Sequence, residues 1–299
     1  MPAPRVFDRP LLRARRRRAA ALGATTFLVD RVADDLVDRL AAVRRSFALA
    51  VDLGTPTGAV RRALAGTPAI GALIAVDALA ERAREHPGPS VVADEEALPF
   101  RDESLDLVVS ALALQFVNDL PGTLAQVRRA LKPDGLFLAA LIGGDTLTEL
   151  RQSFAAAEAE TAGGASPRVA PFADVRAVGA LLQRADFALP VTDVDRLVVR
   201  YASPFGLMDD LRRMGATNAL VERRRVPLRR ATLMRMVEHY GERFADADGR
   251  IRATFEIVWL SGWAPHASQQ QPLAPGSAAS RLADALGTQE MSAGQKAER

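Results

Sequence analysis

The chain has no cysteine. That excludes disulfides, cysteine nucleophiles and cysteine-held iron–sulfur clusters, and with them radical chemistry on such a cluster. Histidine is scarce. His86, His239 and His266 are the whole set, and none has the His-x-Asp/Glu spacing of a facial-triad iron site. No metal site is expected. Aromatics make up 5% of the chain, so the core must be built from Ala, Leu and Val. No apolar run reaches the roughly 18 residues of a transmembrane helix. The charged N-terminus is not followed by the apolar stretch of a cleavable signal peptide. A cytoplasmic location in a bacterium is expected, or the mitochondrial matrix in a eukaryote.

Lysine is nearly absent: Lys132 and Lys296 are the only two. Arginine therefore sets the pI of 9.9, although 39 basic residues face 36 acidic ones. Two basic clusters stand out, Arg13–Arg18 and Arg223–Arg230. Neither is interleaved with aromatics for base stacking. They read as solvated or partner-facing surface, and nucleic acid is not the partner they imply. Asp8, Asp30, Asp34 and Asp35 argue against an organelle transit peptide at the start of the chain.

What is present is a repeating alternation of strand and helix. Residues 1–45 read as a helical lead-in covering the sheet edge. Phe47–Leu53 is an apolar strand and Thr57–Ala65 a helix. Ala72–Val76 is a strand ending in Asp77, followed by a helix over Ala78–Glu85. Ser90–Ala93 is a strand ending in Asp94, and Leu105–Ala111 is a buried strand. A helix over Leu120–Leu131, a turn at Pro133-Asp134-Gly135 and a strand over Leu136–Ile142 follow. Further on come helices Leu147–Ala162 and Asp174–Arg184 and a strand over Val194–Tyr201. Helices over Pro204–Met214 and Leu228–Tyr240 form an insertion at about 203–245. The last strand is Arg252–Leu260. The tail, 266–299, is polar and expected to be disordered after about Gly287.

Units at this spacing make an α/β parallel sheet with helices on both faces. Such sheets bind ligands at the carboxyl ends of their strands. Asp52, Asp77 and Asp94 all fall at such ends. The turn Asp52-Leu53-Gly54-Thr55-Pro56-Thr57-Gly58 leads from strand to helix. Gly54 lets a ligand approach the backbone, and the helix start favours a carboxylate or phosphate. Asp77 suits two ribose hydroxyls, and Asp94 an adenine amino group. The spacing is Gly-x-x-x-Gly rather than Gly-x-Gly-x-x-Gly, which points away from NAD and toward S-adenosylmethionine. Thr55, Ala78, Glu95 and Ser110 flank these positions and are assigned to the same cofactor site. Gln115 and Asn118 follow the fourth strand and are the acceptor-side candidates. Asn118 and Asp119 have a second reading as caps of the next helix. No Asn-Pro-Pro-Tyr or Asp-Pro-Pro-Tyr stands here, which speaks against methylation of adenine or of a glutamine amide.

Residues 48–145 resemble class I S-adenosylmethionine-dependent methyltransferases of type 11. The carrying motifs are VDLGTPTG, IAVDAL, VVADEEALPFRDESLDLVVSALAL and RRALKPDGLFLAAL. The resemblance implies a Rossmann-like fold with a mostly parallel seven-stranded sheet, and a methyltransferase-like domain over 46–265 whose cofactor half is 46–145. FDRPLLRARRRRAA, FVNDLPGTLAQVRRALKPDGLFLAALIGGDTLTELRQSF and SGWAPHASQQQPLAPGSAASRLADALG are similar to a narrower group, the bacterial relatives of mitochondrial complex I assembly factor 5. That similarity implies methyl transfer from S-adenosylmethionine to a protein or small-molecule acceptor in the assembly of respiratory complex I. Its alternatives are hydroxylation of an arginine in a complex I subunit, or a non-catalytic chaperone role. Three positions depart from the family pattern. Pro56 stands where a second glycine is usual, Gln115 where His is expected, and Phe116 where Trp is expected.

Overall fold

The computed structural model describes residues 5–270 and 282–289. Met1–Pro265 and His266–Arg299 are separate compact units. The second contains a short helix, Leu282–Leu286. The disorder expected beyond Gly287 falls, past Gln289, outside the described residues.

The first unit opens with two helices, α1 (Arg9–Ala21) and α2 (Phe27–Ala42). Asp8 caps α1 by accepting from the Leu11 N–H at 3.0 Å, and Pro10 sits in the first turn, where a missing N–H costs nothing. Strands and helices then alternate: β1 (Phe47–Leu53), α3 (Ala59–Ala63), β2 (Ile70–Asp77), α4 (Ala80–Glu85), β3 (Ser90–Val92), β4 (Leu105–Ala111), α5 (Leu120–Ala130), β5 (Leu131–Ile142), α6 (Thr148–Ala162), α7 (Val175–Arg184), β6 (Ala188–Tyr201), α8 (Pro204–Arg213), α9 (Arg230–Phe244) and β7 (Ile251–Trp263). The seven strands form one sheet in the order β3-β2-β1-β4-β5-β7-β6. The first five are parallel, and β7 runs antiparallel to both neighbours. The mostly parallel α/β sheet read from the sequence is the observed fold. Successive strands run outward from β1 and then restart on its other side at β4, so the carboxyl ends of β1 and β4 flank the switch point.

The lead-in does not cover a sheet edge. The edges are β3 and β6, whereas α2 lies on a face. Its Leu28, Val29, Val32, Ala33, Leu36 and Leu40 share one core with Leu107, Val109, Leu136 and Leu138 of the central strands. An apolar stripe this wide is too large for an edge and needs a sheet face to bury it.

The Pro133-Asp134-Gly135 turn lies inside β5 rather than before it. Leu105 pairs with Leu131 and Leu107 with Leu136, so the residues between bulge out, with Asp134 at φ 65°. The bulge is tied to the end of β7. Asp134 N–H donates to the Ala264 carbonyl at 3.0 Å, and Ala264 N–H donates to the Gly135 carbonyl at 2.8 Å. The excursion carrying α8 and α9 leaves the sheet at Tyr201 and returns at Ile251, and these two residues pair with each other.

Candidate cofactor and acceptor site

At the end of β1, Gly54 adopts φ 71° and its N–H donates to the Val76 carbonyl at 2.9 Å. The turn is thereby bonded to β2. Thr55 Oγ1 accepts from the Ala111 N–H at 3.0 Å, bonding the same turn to β4. Pro56–Gly58 form one 3₁₀ turn, with Thr57 at φ 66° and Gly58 at φ 63°. Two successive left-handed residues cannot continue a helix, so α3 begins at Ala59 instead of Thr57.

Asp52 is buried beneath this turn. Burial pushes its carboxyl up to about 7, against hydrogen bonding from Thr55. Its Oδ1 has no hydrogen-bond partner among the described residues. Ser110 is fully buried, and its hydroxyl donates to the Leu53 carbonyl at 2.7 Å. Thr55 and Ser110 therefore stitch β1 to β4, with their hydroxyls spent inside the sheet.

At the end of β2, Asp77 Oδ1 accepts from the Leu79 N–H at 2.8 Å, while Oδ2 faces Arg82 at 3.2 Å and His86 at 3.9 Å. Burial raises the Asp77 pKa, with Arg82 opposing; burial lowers that of His86, with Asp77 opposing. Ala78 is half-buried at the start of the loop to α4.

After β3, Asp94 and Glu95 receive one face of α1. Arg9 donates to Asp94 Oδ1 at 2.6 Å and also to Glu95 Oε2; Arg13 donates to Asp94 Oδ2 at 3.1 Å. Arg16 lies 3.6 Å from Glu95 Oε1. The first basic cluster is thus not all solvated surface. Arg13 and Arg16, together with Arg9 one turn earlier, follow helical spacing and turn toward these acids; the spacing is legible in the sequence, the acids that meet it are not. In the second cluster Arg223 pairs with Asp8 at 3.1 Å, and Arg224, Arg225, Arg229 and Arg230 are exposed.

A cavity of about 620 Å³ opens over these strand ends. Of the assigned positions, Gly58 and Gln115 are among its lining residues. The wall is largely apolar, with Leu28, Leu112, Phe116, Phe172, Met214 and Phe255, and carries Arg16, Arg82 and His86. His86 reaches that wall from the position that caps the end of α4. The space against Gly54 is filled: a Cβ added there would lie 2.6 Å from Glu95 Oε1 and 3.2 Å from Ala113 Cβ.

Gln115 sits in a 3₁₀ turn over Leu114–Phe116. Its Nε2 donates to the Leu112 carbonyl at 2.9 Å, which leaves Oε1 buried without a hydrogen-bond partner among the described residues. Asn118, the other acceptor-side candidate, is not among the residues lining the cavity. Its Oδ1 accepts from the N–H groups of Val6 at 2.8 Å and Phe7 at 2.7 Å, and its Nδ2 donates to the Phe7 carbonyl at 3.2 Å. It clamps the N-terminal segment, with both lone pairs of Oδ1 and one N–H of Nδ2 engaged there. The helix cap is Asp119, which accepts from the Gly122 N–H at 2.8 Å.

A methyltransferase-domain family model matches residues 51–139. The chain is 41% identical over 282 residues to the human protein named arginine-hydroxylase NDUFAF5, mitochondrial, covering 91% of this chain and 81% of that one. It belongs to the class I S-adenosylmethionine-dependent methyltransferases related to NDUFAF5. Another relative is the malonyl-[acyl-carrier protein] O-methyltransferase of Laribacter hongkongensis, 35% identical over 286 residues, 90% of this chain and 94% of that one. Among solved structures the YcgJ protein of Bacillus subtilis has the same fold, with a TM-score of 0.52 and 19% identity over 77% of this chain and 98% of that one. The cofactor of this methyltransferase family is S-adenosylmethionine. No helix among the described residues is long and apolar enough to cross a membrane.

Proposed function

We propose that this methyltransferase acts on an acceptor carried by a protein or on a small molecule, in the assembly of respiratory complex I. The cavity carries the proposal: a mainly apolar space at the switch point, bordered by Gly58 on the cofactor side and by the unpartnered Gln115 Oε1 on the other. S-adenosylmethionine fits these residues on two counts. The left-handed Gly54 and Gly58 carry no Cβ, and Asp77 and Asp94 stand at successive strand ends, their carboxylates held in place by Arg82 and by Arg9 and Arg13. Asp77 is assigned to the ribose hydroxyls and Asp94 to the adenine amino group. The Gly54–Gly58 turn, with Glu95 against it, is assigned to the methionine end, and Ala78 borders the adenosine. Asp52, Thr55 and Ser110 hold the turn rather than the ligand.

When bound, the cofactor supplies an electrophilic methyl group on a sulfonium. The chain's own contribution is positioning and exclusion of water, and well-oriented groups gain roughly 7–11 kcal/mol of barrier from such positioning. Gln115 is not a base near neutral pH; its Oε1 orients an acceptor N–H or O–H. Calorimetry tests the reading. Binding of S-adenosylmethionine at micromolar level, about −8 kcal/mol, is expected. No binding overturns it, and unchanged binding by Asp77→Ala overturns the ribose assignment.

The identity to the arginine-hydroxylase over 91% of the chain favours a second reading, modification or holding of a complex I subunit at arginine. Mass spectrometry of complex I subunits from a deletion strain separates the cases. Loss of a methyl group supports the first reading and loss of a hydroxyl the second. Unchanged modification with poor assembly means a chaperone.

A further inference from the structure

The N-terminal segment packs against the loops that follow β3 and β4. Asn118 grips its backbone at Val6 and Phe7, Phe7 bridges to Leu220, and the Phe7 ring meets Phe116 edge-on at 5.5 Å. From there α1 presents Arg9 and Arg16 to Glu95. Glu95 is wholly buried. Its carboxylate fills the space beside the Gly54 Cα where a side chain would stand, the space the missing Cβ leaves for a ligand. Among the described residues Glu95 Oε1 has no hydrogen-bond partner and lies 3.6 Å from the Arg16 guanidinium.

Stability does not account for this arrangement. A buried ion pair recovers its desolvation cost only with good geometry and with every lone pair satisfied, and Oε1 is not. A carboxylate parked over a glycine whose bare backbone a ligand needs is a competitor for that ligand.

Resting on the cofactor reading above, we propose that Glu95 is an internal competitor of S-adenosylmethionine. Arg9 and Arg16 of α1 hold it over Gly54, and it must leave when the cofactor enters. Cofactor entry then breaks both ion pairs to Glu95. Arg9 keeps Asp94, and Arg16 is released at the cavity wall. The hold of α1 on Glu95 sets the affinity for the cofactor.

The test is calorimetric titration of the full-length protein with S-adenosylmethionine and with S-adenosylhomocysteine. Glu95→Ala should bind both about tenfold more tightly than wild type, the scale of one charge-assisted hydrogen bond no longer broken. Glu95→Gln keeps the shape without the charge and should fall between. Arg9→Met loosens Glu95 from the other side and should also tighten binding; it decides the matter if Glu95→Ala fails to fold. Affinity in the folded variants that equals or falls below wild type overturns the proposal, and a fall would make Glu95 a direct ligand. Failure of wild type and every variant to bind either compound instead overturns the cofactor reading on which the proposal rests.

Discussion

Replacing Asp52 by Asn should change how stability depends on pH, in a direction fixed by where the carboxyl sits. Burial at the end of β1 holds its proton up to about pH 7, whereas in the unfolded chain a carboxyl releases it near 3.8. A folded-state pKa above the unfolded one means that the fold binds the proton more tightly. Below pH 3.8 both states carry it, and the full stability is present. As pH rises through the window, the unfolded chain ionises while the fold does not, and stability falls by roughly 1.4 kcal/mol per pH unit. Across the window to about pH 7 the loss is about 4 kcal/mol, after which it levels off. Asparagine titrates in neither state. The free energy of unfolding of Asp52→Asn minus that of wild type should therefore climb by about 4 kcal/mol between pH 4 and 7. The other carboxyls titrate in both proteins and cancel from the difference. Urea denaturation of the two proteins at a series of pH values measures it. A constant offset of either sign would reflect the packing of the amide and is compatible with the reasoning. Parallel curves with no climb would refute it, because Asp52 would then be ionised in the fold.

Three further outcomes are expected. Asn118→Ala removes the clamp on Val6 and Phe7; hydrogen exchange across residues 6–21 should speed up by about 1–3 kcal/mol of local stability, and unchanged exchange would show that the segment is held elsewhere. Gly54→Ala forces a side chain onto φ 71° and against Glu95; it should cost about 1–2 kcal/mol from the left-handed backbone alone and abolish cofactor binding in calorimetry. Gln115→Leu should leave cofactor affinity unchanged while lowering methyl transfer about tenfold, the scale of one lost hydrogen bond; loss of cofactor affinity in this variant would move Gln115 from the acceptor side to the cofactor side.

The sheet was legible because its central strands are near-continuous apolar runs. FALAVDL and LDLVVSA match β1 and β4 residue for residue. Parallel strands buried on both faces leave that mark. The outer hairpin was less legible: β6 begins at Ala188, well before its most apolar stretch, because alternate residues face solvent. In the site, the strand-end acids could be placed because strand ends can be placed. What Thr55, Ser110 and Asn118 do could not. Each side chain is committed to a backbone group more than 50 residues away, and for Asn118 and Phe7 the separation is 111. No local period encodes such a partner. The inward arginines of α1 were hidden for a related reason: an arginine run looks alike whether its counter-charges are water or a pair of acids from another element.

The paired exit and return of the α8–α9 excursion has an evolutionary consequence. Because Tyr201 and Ile251 are neighbours in the sheet, whatever is threaded between them can be lengthened, shortened or exchanged without disturbing strand register. The same excursion supplies Leu211, Met214 and Ala216 to the cavity wall, on a different stretch of chain from the cofactor turn. Changes of length there reshape one wall of the cavity and leave the Gly54–Gly58 turn in place, provided Leu207, Met236 and Tyr240 still reach the core.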